Sequence, residues 1–284
     1  MTPALTYALG AMLCFGIGDL IYKQGAAAGA PAHHFLMVQT WFFGPLVLVY
    51  AILTHGLVWN PGALWGGVAG LFMLTGFYNF ARSLKTGSIS INAPVFRLSF
   101  VLTAVLAVLF LGEPLTATKV AGIALALAAA WLLLGAPSKD AHARRESRAA
   151  LLRVLFATTM VGLGNFIYKF GLMAGATPAS MIVAQAVMVV PAATLFVVLV
   201  DGRIRPAAAA LRHAPRAALA LAAAFSLLLE ALARGDASAV VPVAQMGFVV
   251  TALIGTLFLK EPFNLRKGAG LVAALAALGS FAGG

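Results

Sequence analysis

Arg97 is the residue whose type and position most suggest chemistry, because it lies inside a long apolar stretch, residues 90–111. An ionisable side chain at the centre of a membrane span costs roughly 3 kcal/mol or more, so it indicates a function or a dedicated partner. No acidic residue lies within one helical turn on the same stretch. The partner is therefore on another helix, or it is a ligand. A ligand would make Arg97 a binding or gating residue; a helix partner, or snorkelling to the near interface, would make it structural.

Two acidic side chains are each followed four positions later by a basic residue, on the same helical face. Asp19 precedes Lys23 near the end of the first apolar stretch, and Glu230 precedes Arg234 near the end of the eighth. Local ion pairs close to the interface are the simplest prediction for both. In the functional alternative, either carboxylate binds an amine or carries a coupling proton.

Further polar side chains could line a cavity. Tyr78, Asn79 and Arg82 share one face of the stretch 63–83. The other polar candidates within apolar stretches are Gln39, Asn92 and Gln185. Gln39 and Gln185 could equally hydrogen-bond between helices.

Enzyme motifs are absent from the sequence. It contains no nucleotide-binding loop, metal-ligand cluster or catalytic triad, and its five histidines lie in loops or at the ends of apolar stretches. We therefore expect no enzymatic activity, no cofactor, no metal and no direct use of ATP.

Membrane helices must position these residues. Of the 284 residues, 62% are hydrophobic and 10% charged, too apolar for a soluble domain. The apolar stretches are long and do not alternate, so helices rather than barrel strands satisfy the backbone. We predict an all-α membrane protein with about ten transmembrane helices. The predicted spans are 4–22, 34–54, 63–83, 90–111, 117–135, 151–170, 179–200, 216–233, 239–259 and 265–282.

The second half of the sequence repeats the first. Tyr22-Lys23 matches Tyr168-Lys169, and Glu113-Pro114 matches Glu261-Pro262. Agreement in such residues is not a by-product of Ala/Leu-rich composition. Because a copy of the first stretch recurs in the interior, we expect that stretch to be a structural helix, not a cleaved signal. Among the candidate residues, the repeat pairs Arg97 with Gln245, Asp19 with Asn165, and Arg82 with Glu230.

An odd number of spans in each half makes the second half enter the membrane from the opposite side. The prediction is two inverted-topology five-helix repeats, 1–137 and 151–284, joined by a basic linker, 138–150. Such symmetry suits alternating access, because two inequivalent conformations of the halves can be exchanged. It favours a secondary transporter over a receptor or scaffold.

Residues at the ends of spans have simpler predicted roles. Tyr22 and Tyr168, with the lysine after each, are expected to anchor the helices at the head-group level. Glu113 and Glu261 are expected to cap the helix that follows each of them, where negative charge is favoured.

The segments 87–115 and 235–263 carry a family resemblance. They end in Phe-Leu-Gly-Glu-Pro-Leu and Phe-Leu-Lys-Glu-Pro-Phe. With the small residues and apolar helix before them, they resemble the drug/metabolite transporter superfamily, specifically its ten-helix EamA-type permeases, over nearly the whole chain. Lys260 departs from the glycine of that block. The resemblance implies exporters and exchangers of amino acids, other metabolites and drugs, with a central cavity between the halves.

Charge distribution bears on orientation. Most of the 19 lysines and arginines lie in the loops after odd-numbered spans. The positive-inside rule puts those loops in the cytoplasm and both termini outside, whereas the resemblance implies cytoplasmic termini. The net charge of +11 suits phospholipid head groups, not nucleic acid. We expect a multi-pass protein of the bacterial inner (plasma) membrane.

The sequence thus predicts a secondary transporter, an exporter or exchanger of small polar metabolites such as amino acids. Arg97, with Arg82, would hold a carboxylate, and Asp19 or Glu230 would hold an amine or a coupling proton. The remaining predicted substrate-binding residues are Tyr78, Asn79, Asn165 and Gln245. Efflux of drug cations and flipping of a lipid head group are the alternatives. The protein would act in the bilayer as a monomer or homodimer.

Overall fold

The computed structural model describes residues 2–86, 89–133, 141–258 and 265–282, which form helices and connections without a strand. Among these residues the α-helices are α1 (Pro3–Ala27), α2 (Ala32–Leu53), α3 (Leu64–Thr86), α4 (Ile89–Arg97), α5 (Ser99–Leu111), α6 (Ala117–Leu133), α7 (Ala141–Met173), α8 (Pro178–Asp201), α9 (Ala208–Arg234), α10 (Ala237–Gln245), α11 (Gly247–Phe258) and α12 (Leu265–Ala282). A short 3-10 helix, Pro61–Ala63, precedes α3.

Helix ends follow local sequence signals. The Thr2 side chain accepts the Leu5 N–H, and Pro3 occupies the first turn of α1, where its missing N–H costs nothing. Thr177 and Ser180 form a reciprocal capping box at the start of α8. Gly112 ends α5 with φ +66°, a left-handed conformation that glycine adopts without a steric penalty.

The predicted spans 90–111 and 239–259 are each divided into two helices. The breaks lie at Leu98, between α4 and α5, and at Met246, between α10 and α11. At each break the N–H turns to the carbonyl three residues back, from Leu98 to Val95 and from Met246 to Val243, both at 3.1 Å. This tighter turn interrupts the α-helical ladder. The apolar composition runs on unchanged through both breaks, so it does not reveal them.

Six helices among the described residues are long and apolar enough to cross a membrane. They are α1, α2, α8, α9, α12 and the part of α7 from Arg148 to Met173. Shorter apolar segments are Val95–Leu111, Ala117–Leu132 and Ala237–Thr251. Helix α7 begins at Ala141, so the C-terminal part of the predicted linker is helical. Residues 138–140 of that linker, and Glu261, lie outside the described residues.

The two halves interlock, and the contacts are reciprocal. Helix α1 packs on α9 as α7 packs on α3, and α1 packs on α11 as α7 packs on α5. The helices approach each other closely where α1 crosses α11 and where α7 crosses α5. A Cβ added at Gly16 would lie 2.7 Å from the Gly247 carbonyl oxygen, and one at Gly162 would lie 2.9 Å from that of Ser99. Both crossings therefore require a glycine on the first helix of the repeat.

Candidate functional site

The Arg97 side chain is fully buried at the C-terminal end of α4. Its Nε lies 2.9 Å from Oδ2 of Asp19, and its Nη2 lies 2.5 Å from Oδ1, so the two groups form a two-pronged ion pair. Asp19 is on α1. The predicted local pair of Asp19 with Lys23 is therefore wrong, because the carboxylate faces the interior, where the guanidinium of another helix meets it.

Further groups complete the coordination of the guanidinium. Nη1 donates to the side-chain oxygen of Gln245 at 2.8 Å, and Nη2 also donates to the carbonyl oxygen of Phe15 at 3.3 Å. The rings of Phe15 and Phe96 lie 4.7 and 5.4 Å from the guanidinium carbon. A buried ion pair recovers its desolvation cost only when its other donors are also satisfied and the geometry is good. Here each of the three guanidinium nitrogens has at least one acceptor, and two of them pair with the Asp19 carboxylate.

The contact between Arg97 and Gln245 locates the centre of the fold. The two residues are equivalent in the repeat, and each is the last residue before a helix break. Equivalent residues that touch must straddle the pseudo-twofold axis. The predicted site residues Arg97, Asp19 and Gln245 are thus brought together where the two halves meet.

Asn165 has a different environment from its equivalent, Asp19. It is fully buried on α7. Neither its side-chain nitrogen nor its oxygen has a hydrogen-bond partner among the described residues. The hydroxyl of Ser99, the first residue after the α4–α5 break, is also buried without a partner there. The second half therefore carries an uncharged, unsatisfied group where the first carries an ion pair.

Tyr22 and Tyr168 are buried, so the prediction that they anchor the helices at the head-group level is wrong. Tyr22 donates its hydroxyl to the side-chain oxygen of Gln39, and Tyr168 donates to that of Gln185 at 2.6 Å. Both glutamines also line a cavity of about 30 Å³, room for a water molecule or two. Its other walls are mostly apolar, with Phe77 and Phe225 among them.

A larger cleft of about 510 Å³ opens at one end of the bundle. Its lining includes Tyr78, Arg82, Lys85 and Arg153. Nη1 of Arg82 donates to the Tyr78 hydroxyl at 3.2 Å. Asn79 does not line this cleft; its amide donates to the Thr75 carbonyl of its own helix at 2.9 Å.

The cleft and the inner cavity follow one another along two helices. On α2, His33 lines the cleft, and Gln39 lines the cavity. On α3, Tyr78 and Arg82 line the cleft, and Phe77 lines the cavity. The cleft and the smaller cavity are therefore neighbours along α2 and α3.

Glu230 lies away from the Arg97 cluster. It pairs with Arg234, as predicted, and accepts the hydroxyl of Tyr50. Tyr50 is 17 residues beyond His33 on α2, so this group lies roughly 25 Å along the helix from the cleft. The guanidinium of Arg234 also stacks over Tyr7 at 4.8 Å. The equivalent residues Arg82 and Glu230 thus lie toward opposite ends of the bundle.

Two charged side chains cap the ends of helices that are distant in sequence. Glu113 accepts the N–H groups of Ala237 and Ser238 at 2.7 and 2.8 Å, so it caps α10 and not the helix that follows it, which corrects the prediction. Lys169 donates to the carbonyls of Leu232 and Gly235 at 2.9 and 2.8 Å, at the end of α9. Neither partner is close in sequence, so no local pattern could identify it.

A family model matches each half separately. The model of the EamA-like transporter family matches residues 2–135 and again 148–281. The chain belongs to the EamA-like transporter family. It is therefore a multi-pass membrane protein of a family of small-molecule transporters, not of enzymes.

One solved structure, described as "Crystal structure of protein", is similar to this EamA-like transporter with a TM-score of 0.78. The match covers 98% of this chain and 95% of that one at 15% sequence identity, so it shows the fold. No curated protein matches the sequence.

Proposed function

We propose that this EamA-like transporter is a secondary transporter that exports or exchanges small polar metabolites, amino acids among them, by alternating access. It would cross the bacterial inner membrane ten times as a monomer or homodimer, with α4–α5 and α10–α11 each forming one crossing. The units that move would be the halves 1–137 and 151–284, joined by the linker 138–150. The observation that carries the proposal is the Arg97–Asp19–Gln245 cluster, where both helix breaks and both halves meet.

The charges of this cluster favour a zwitterion. An amino acid offers a carboxylate to Arg97 and an ammonium group to Asp19. It can therefore insert between the two and replace one ion pair by two without changing the net charge of the buried site. A simple anion would leave Asp19 unpaired, and a simple cation would leave Arg97 unpaired, each at a cost of several kcal/mol. Tyr78 and Arg82, which line the cleft, would then belong to the entry route and not to the central site.

Insertion would also loosen the contact between the halves. The Nη1 group of Arg97 donates across the axis to Gln245. A substrate carboxylate that takes over this donor removes a hydrogen bond that joins the two helix breaks. Protonation of Asp19 would have a related effect, because it weakens the ion pair and frees the guanidinium. Substrate binding and protonation of Asp19 would thus both release the guanidinium of Arg97 from its present partners.

Transport by purified protein in liposomes tests the proposal. We expect counterflow of radiolabelled amino acids with the wild-type protein and none with the double variant Asp19→Asn/Arg97→Met, which leaves no unpaired charge. The control is Glu230→Gln/Arg234→Met, which removes the ion pair near the end of the bundle opposite the cleft and should retain uptake. The proposal fails if the folded wild-type protein moves no amino acid, or if the Asp19/Arg97 double variant moves them at the wild-type rate.

A further inference from the structure

The open cleft is built by both halves of the transporter. Helices α2 and α3 contribute His33, Tyr78, Arg82 and Lys85, and α7 contributes Arg153. Its volume of about 510 Å³ falls within the range of small-molecule sites. Arg82 and Lys85 are exposed and Arg153 is half-buried, so their charges are available to a ligand.

No acidic residue lines this cleft among the described residues. Three cationic side chains that share one concave surface raise the local positive potential and attract anions. The equivalent of Arg82 in the other half is Glu230, which has its own local partner, Arg234. The positive charge is therefore a property of this cleft and not a repeated feature of the fold.

Asp201 adjoins the cleft but is already engaged. Its Oδ2 lies 3.2 Å from Nε2 of His33 and 2.5 Å from Nε2 of His34. Nδ1 of His34 accepts the N–H of Ala207 at 3.2 Å. Nε2 of that ring therefore carries the proton and donates to Asp201. This excludes His34 as a neutral metal ligand through Nε2, and the cluster is a hydrogen-bonded contact between helices.

We infer that the cleft is a second binding site, distinct from the Arg97 cluster, and that it binds a phosphate group. A phosphate monoester carries close to two negative charges and three acceptor oxygens, which match several cationic donors better than a single carboxylate does. The fork of Arg82 and the Tyr78 hydroxyl supply directed hydrogen bonds; Lys85 and Arg153 supply charge. The phosphate monoester belongs either to a soluble metabolite or to a phospholipid whose head group ends in one, such as phosphatidic acid.

A ligand in this position would bridge the halves. Contact with Arg82 on α3 and with Arg153 on α7 joins the third helix of one repeat to the first helix of the other. Occupancy would therefore favour the conformation described here, whatever the substrate of the central site. The inference stands independently of amino-acid transport.

Binding measurements on the full-length protein test this inference. The soluble probe is glycerol 3-phosphate, titrated calorimetrically in detergent, with glycerol and sodium chloride at matched ionic strength as controls. The lipid probe is phosphatidic acid, whose head group is a phosphate monoester, compared with phosphatidylcholine in nanodiscs by thermal stabilisation. The test variant is Arg82→Gln/Arg153→Gln, and the matched control is Arg234→Gln, which removes a cation near the opposite end. Unliganded melting temperatures establish that each variant is folded.

The inference predicts that Arg82→Gln/Arg153→Gln weakens binding of one phosphate probe at least about tenfold, a loss of about 1.4 kcal/mol, and that Arg234→Gln does not. Loss of glycerol 3-phosphate binding identifies a soluble ligand. Loss of stabilisation by phosphatidic acid alone identifies a lipid. The inference is overturned if neither probe binds the wild-type protein, or if both variants weaken binding equally.

Discussion

Two equivalent places in the molecule, around Asp19 on α1 and around Asn165 on α7, have the same framework and different chemistry. In both, the first helix of a repeat crosses the second part of a broken helix through a glycine. In both, a threonine hydroxyl donates across that crossing, from Thr103 to the Gly162 carbonyl at 3.0 Å and from Thr251 to that of Gly16 at 3.4 Å. Among the residues that the structure describes, only the Asp19 side has a charged pair.

This difference separates what the fold needs from what the transport site needs. The glycine crossings, the helix breaks and the tyrosine–glutamine bonds occur twice, so they belong to the framework. In the described part of the chain this ion pair occurs once, although the duplicated fold offers two places for it. A feature that the fold does not require twice is a candidate for function.

Removing Arg97 alone should give the largest decrease in stability. Arg97→Met leaves the Asp19 carboxylate buried without its partner, which costs about 3–5 kcal/mol. The double variant Asp19→Asn/Arg97→Met, whose chemistry approaches that of the second half, should lose much less. Melting temperatures in detergent measure both. Equal melting temperatures for the single and double variants would contradict a buried ion pair.

Moving the charge to the second half should give the next largest effect. Asn165→Asp alone buries a second carboxylate that has no basic partner among the described residues, and it should lower the melting temperature sharply. The quadruple variant Asp19→Asn/Arg97→Gln/Asn165→Asp/Gln245→Arg relocates the whole pair to the equivalent place. If the two places are equivalent, its melting temperature lies above that of Asn165→Asp. A melting temperature below that of Asn165→Asp would show that the two places are not equivalent.

The tyrosine–glutamine bonds should contribute equally in the two halves. Tyr22→Phe and Tyr168→Phe each leave a buried glutamine oxygen without its donor, at a cost of about 1–3 kcal/mol. Differential scanning fluorimetry on the two variants should give similar decreases in melting temperature. A decrease confined to one of them would show that the frameworks differ.

The smallest expected effect is a gain in stability. Asn165→Leu replaces the unsatisfied buried amide by an apolar side chain of similar size and should stabilise this conformation by about 1 kcal/mol. Asp19→Leu, at the equivalent position, should destabilise it by several kcal/mol, because it leaves Arg97 unpaired. Thermal melts of the two variants make the comparison, and destabilisation by Asn165→Leu would show that the amide has a partner in this state.

Much of this architecture follows from the sequence, because hydropathy and repetition are local or regular signals. They predict helices, the repeat, and a partner for Arg97 that is either on another helix or a ligand. They do not name that partner, because Asp19 is 78 residues away and only packing decides which face of α1 meets α4. The interior position of Tyr22 was missed for a similar reason: a tyrosine near a helix end suits an interface as well as a buried hydrogen bond.

The cap that Glu113 provides for α10 has a consequence for synthesis of the chain. The first N–H that it accepts belongs to a residue 124 positions later. At about 5–20 residues per second, a ribosome takes roughly 6–25 seconds to produce that segment. During this interval the N–H groups that the Glu113 carboxylate will accept have not yet been synthesised. Maturation of the first half therefore waits for the second.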